Sequence, residues 1–89
     1  MYKIKDGFII RKIGNQIMAV PTGSRTSNMH GMIALTESGA LLWEALEKGA
    51  ETEELVNILT ETYEVDEALA LTDIEKFLEG LKTQGALDD

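Results

Sequence analysis

Apolar and polar positions change rhythm once along this chain: up to Leu35 they follow the two-residue period of strands, and from Thr36 they recur every three or four residues, as in helices. Gly7-Phe8-Ile9-Ile10-Arg11-Lys12-Ile13 is rich in β-branched and aromatic residues, Gly14-Asn15 is a tight-turn pair, and Gln16 to Val20 resumes the strand character before Pro21 ends it. That pattern predicts a β-hairpin. Tyr2-Lys3-Ile4-Lys5 also alternates and is expected either to lengthen the first strand or to stay loose. Thr22 to Asn28 is polar and without period, which predicts a loop. Met29 to Leu35 then reads as a third strand, with Ile33 and Leu35 turned inward and Met32 and Ala34 on the other face.

The helical half opens at Thr36, whose hydroxyl is placed to cap a helix running to about Lys48, with Gly49 as its stop. Gly39, Leu42, Trp43 and Leu46 share one face of it, so the only Trp of the chain belongs to the core. Thr52 is expected to cap a second helix, with Glu53 and Glu54 suited to the positive end of its dipole. Leu55, Val56, Leu59 and Tyr63 form its buried stripe, with Ile58 at the edge. Asp66 caps a third helix that continues to about Gln84, carrying Ala70, Ile74, Phe77, Leu78 and Leu81, broadened by Leu71. Gly85 ends it, and Ala86-Leu87 can fold back as an apolar plug. Strands followed by helices predict an α+β fold: a three-stranded antiparallel sheet, then three helices.

Composition narrows the chemistry. At 89 residues the chain is expected to form one domain spanning 1–89. With no Cys, disulfides, thiol catalysis and Cys-based zinc sites are excluded. The first residues contain no apolar signal segment and no run approaches membrane-spanning length, so a cytoplasmic protein is expected. The net charge of −8 is uneven: residues 1–35 hold five cations against one acid, and residues 36–89 hold three against fifteen. Such helices would repel a phosphate backbone, although acidic helices also simply keep a small domain in solution. His30, the only His, has no nearby acid to make it a base or a metal ligand. The Ser, Thr and Lys residues have no second group to activate them as nucleophiles, and no Gly-rich phosphate loop is present. The acidic pairs sit at helix starts, where dipole capping accounts for them. The chain therefore reads as no enzyme, with no cofactor and no metal.

A short sheet leaves an edge, whose unpaired N–H and C=O groups can accept one more strand. The third strand is the candidate edge: Gly31 admits a close backbone, and Met29 and Met32 offer adaptable apolar contact. The exposed part of the third helix near Leu71, Asp73, Ile74 and Glu75 is expected to form the other wall. The bland alternative is an edge that is short and does nothing.

Taken in order, Leu35-Thr36-Glu37-Ser38-Gly39, Leu42-Trp43, Gly49, Thr52 with Glu54-Leu55, Leu59, Tyr63-Glu64-Val65, Asp73-Ile74, Phe77-Leu78, Leu81 and Gly85-Ala86-Leu87 resemble the signature of the PqqD-like family. Residues 35–87 carry the specific part; Thr36 stands where Asn is common, and Ala86-Leu87 replaces the usual apolar pair after the glycine. The resemblance implies a winged helix-turn-helix-like domain that binds the leader of a ribosomally synthesised precursor peptide and presents it to a modifying enzyme, often a radical-SAM protein. It implies strand addition to the third strand against the third helix, placing the site at His30, Gly31, Met32, Ile33 and Ala34 with the outward face of Leu71, Ile74, Glu75 and Leu78. Pyrroloquinoline quinone biosynthesis is one branch of that family. A winged-helix DNA-binding regulator is the alternative, but its recognition helix would be Thr52 to Tyr63, which has no Lys or Arg. Monomer and homodimer both remain open.

Overall fold

A computed structural model describes residues 1–22 and 32–88. Three strands form one antiparallel sheet in the order β2-β3-β4: β2 (Phe8–Ile13), β3 (Gln16–Pro21) and β4 (Ile33–Leu35). Three helices follow, α1 (Glu37–Lys48), α2 (Thr52–Tyr63) and α3 (Glu67–Thr83). The α+β class and the order of strands and helices agree with the sequence reading. Loop residues 23–28 and the expected start of the third strand at Met29 lie outside the described residues.

The hairpin turns at Gly14, whose φ of 61° meets the need of a two-residue loop for a positive φ at its first central position. Its register is unbroken from Phe8↔Pro21 to Ile13↔Gln16. β4 then pairs with β3 through Ile17↔Leu35, Met18↔Ala34 and Ala19↔Ile33. Ala19 and Ile33 are a cross-strand pair on the buried face, while Ala34 is exposed, as the alternation requires.

Trp43 is fully buried at the centre of the core and meets the Phe8 ring edge-on, with ring centroids 5.5 Å apart. Around it lie Leu42, Leu46, Leu55, Ile74 and Leu81, one stripe from each helix. Thr36 caps α1 through its Oγ1, which accepts from the Gly39 N–H at 3.0 Å, and Asp66 caps α3 by accepting from the Leu69 N–H at 2.9 Å. The expected cap of α2 is corrected. Thr52 is already helical and Glu51 takes the N-cap position, its N–H donating to Glu54 Oε1 at 3.3 Å.

Two further strands were not foreseen as such. Lys3–Ile4 (β1) pairs with Leu87–Asp88 (β5) in a separate two-stranded sheet, and Tyr2 bridges Ala50 through mutual backbone bonds of 2.9 and 2.8 Å. Ile4, Ala86 and Leu87 are all buried there. Ala86 and Leu87 do fold back as a buried apolar plug, with Leu87 also starting β5, and Tyr2 to Lys5 neither extends the hairpin nor hangs free.

Candidate functional site

The hydrogen-bond parity of the sheet decides which backbone groups are open. Thr22 N–H donates to Gly7 C=O at 2.8 Å, so Gly7 and, two by two, Ile9, Arg11 and Ile13 bond to β3. Their partners on β3 are the even-numbered residues, which leaves Ile17 and Ala19 to bond β4 through Leu35 and Ile33. The N–H and C=O of Ala34, and the C=O of Met32, which shares a peptide unit with the Ile33 N–H, therefore point away from β3 to the open side. β4 ends the sheet, and no described strand pairs with that side. The Met32 side chain is 56% exposed. Ile33, by contrast, is buried, so its side chain holds the strand down and is not displayed. His30 and Gly31 lie outside the described residues.

Where β4 ends, Thr36 begins a groove that runs between the N-terminus of α1 and one flank of α3, past Ser38, Asp73, Lys76 and Phe77. A continuation of about 360 Å³ reaches Glu37, Leu59, Tyr63 and Val65 near the end of α2. Gly39 makes the closeness possible: a Cβ there would sit 3.3 Å from Phe77 Cε1 and 3.1 Å from Thr36 Oγ1. The groove has an apolar floor, acids at Glu37 and Asp73, and one cation at Lys76. None of these three forms an ion pair with a described residue.

The side chains expected from α3 need correction. Ile74 and Leu78 are buried in the core and do not form an outward face. Leu71 and Glu75 are exposed but lie on the other flank of the helix. Leu71 borders a depression with Thr52, Val56 and Asn57, and Glu75 lies in another with Tyr2 and Lys82. The reason is angular. Successive helical residues turn about 100°, so Leu71 and Glu75 stand on one side of the buried stripe and Asp73 and Phe77 on the other. Asp73 was among the expected wall residues; Lys76 and Phe77 were not. Their signal in the sequence is the glycine at position 39, inside a helix and on its buried face.

Among the described residues, no group of three His, Asp or Glu side chains could hold a metal, and no helix is long and apolar enough to cross a membrane.

An α+β domain whose third-strand edge pairs with no other described strand, beside a helical groove, and with no Lys or Arg on α2, has a winged-helix-like arrangement whose open surface is backbone. The chain belongs to the PqqD family: the family described as coenzyme PQQ synthesis protein D matches residues 17–87. Among curated proteins, no sequence matches. Two solved structures are similar in fold, each with a TM-score of 0.76. TbiB1 in complex with the TbiA(β) leader peptide is 24% identical, over 97% of this chain and 94% of that one. Lasso peptide synthetase B1 complexed with the leader peptide is 19% identical, over 99% and 98%.

Proposed function

We propose that this protein is a non-catalytic module that binds the leader segment of a ribosomally synthesised precursor peptide, adds it as a strand to β4, and presents it to a modifying enzyme in the cytoplasm. The observation that carries the reading is the outward backbone of Ala34 at the end of the sheet. Membership of the PqqD family supports it, as do two proteins of the same fold whose structures hold leader peptides.

The energetics say what else the site must supply. The N–H and C=O of Ala34 and the C=O of Met32 can make three bonds, worth about 1 kcal/mol each. A micromolar complex needs about 8 kcal/mol. Side chains must provide the remainder, and the groove at Thr36, Asp73, Lys76 and Phe77 is where a strand laid on β4 would find them. The proposed site is therefore Met32 and Ala34 with that flank of α3. Duplex DNA fits poorly, since the surface of α2 offers no Lys or Arg to a phosphate.

The test is titration of the leader encoded beside this gene into isotopically labelled protein. Amide shifts are expected to cluster on residues 32–36 and 73–77. Saturable binding with shifts confined to Leu71, Glu75 and α2 would sink the site, and no binding at all would sink the function.

A further inference from the structure

The sheet has a second free edge, and it is the longer one. β2 has six residues and pairs only with β3 among the described strands. Its register is continuous, without bulge or proline, so it lacks two of the usual devices that spoil an edge. The outward backbone groups are those of Ile10 and Lys12, since Ile9, Arg11 and Ile13 bond to β3. Ile9, Ile10 and Ile13 are 41%, 38% and 57% exposed, an unusual display for aliphatic side chains in a small domain. Between them stand Arg11 and Lys12, neither ion-paired with a described residue. This basic, apolar strand belongs to a chain whose helices are strongly acidic.

We propose that the β2 edge docks an extended segment of another protein in which aliphatic and acidic residues alternate. The charge pattern selects that occupant. Arg11 and Lys12 stand on opposite faces of β2, so an incoming alternating strand sets its carboxylates on the face of one of them and gains a cross-strand pair there, whereas a basic strand is repelled on either face. A second copy of β2 is a poor match, because self-pairing sets four cations along one ladder with no acid in either strand. Peptide capture at β4 and partner docking at β2 would then use opposite edges of one sheet, so both can be occupied together. The docking surface does not depend on what β4 binds.

The probe is a capped peptide, Val-Glu-Val-Asp-Val-Glu-Val, titrated into labelled full-length protein beside a version with Lys at each acidic position. We expect shifts and slowed amide exchange at Ile10 and Lys12, with the Lys version binding about tenfold more weakly. Ile10→Pro, which removes an outward N–H but no bond to β3, should abolish the effect, and Arg11→Glu with Lys12→Glu should reverse the preference. Ala34→Pro should leave it unchanged, which separates this edge from β4. Equal binding of both peptides, or shifts outside β2, would overturn the proposal. So would concentration-dependent dimerisation of the protein alone that Ile10→Pro removes, since the occupant would then be a second copy.

Discussion

At the scale of single residues, two atoms carry the sharpest expectations. The Ala34 N–H faces the open side of β4, whereas the Leu35 N–H bonds toward β3. Ala34→Pro should therefore keep the fold, with stability changed by less than about 1 kcal/mol, because an edge strand tolerates Pro where no ladder bond is lost. Leader binding should fall at least about tenfold, the loss of one backbone bond and a close approach. Leu35→Pro should instead unfold the sheet. Calorimetric titration with thermal melts separates the two. The second atom is Trp43 Nε1, buried without a hydrogen-bond partner among the described residues. Trp43→Ala should cost about 3–5 kcal/mol in urea unfolding. Trp43→Phe should cost less than about 2, since it sheds an unsatisfied donor along with volume. That Trp43 is core could be read from its helical spacing with Leu42 and Leu46. That its N–H is unpartnered could not, because that depends on which side chains the fold brings around it.

At the scale of elements, boundaries were legible where a side chain makes them. Thr36 and Asp66 announce the starts of α1 and α3 in the sequence, and both cap as expected. The start of α2 was misplaced by one residue because Glu51 and Glu54 satisfy that end together, and a long side chain is a weaker cap signal than a hydroxyl. Its other end is held by Glu64 at φ 54°, a left-handed conformation that costs a residue with a Cβ about 1–2 kcal/mol. Glu64→Gly is therefore expected to stabilise the protein by up to about 1 kcal/mol after the added entropy of the unfolded chain, read as a raised urea midpoint. Which flank of α3 lines the groove beside Thr36 was not legible in the sequence. Periodicity locates a buried stripe but treats its two sides alike, so Leu71 and Glu75 looked as suitable as Asp73 and Phe77. Only the approach of α1 through Gly39 breaks that symmetry.

Across the whole molecule, stability and binding are expected to reside in different places. The β1–β5 seam closes the helical layer at one end, with Lys5 N–H donating to Ala86 C=O at 2.8 Å and Ile4, Ala86 and Leu87 buried beneath it. The alternation of Tyr2 to Lys5 and the apolar Ala86-Leu87 were legible, but their pairing was not, because two-residue strands gain their partners from far along the chain. The free edge of β4 belongs to the other sheet and shares no backbone bond with the seam. Leu87→Ala should therefore remove about 2–4 kcal/mol of stability. Binding of the leader below the unfolding transition should change by less than about twofold, because a site that remains folded keeps its edge and groove. Phe77→Ala should show the opposite balance. Phe77 is only half-buried and lines the groove, so its loss should weaken binding more than it lowers the urea midpoint. Both variants measured by chemical denaturation and by titration at one temperature give four numbers. A parallel loss of stability and affinity in both would mean that the groove is not a separate surface but part of the core.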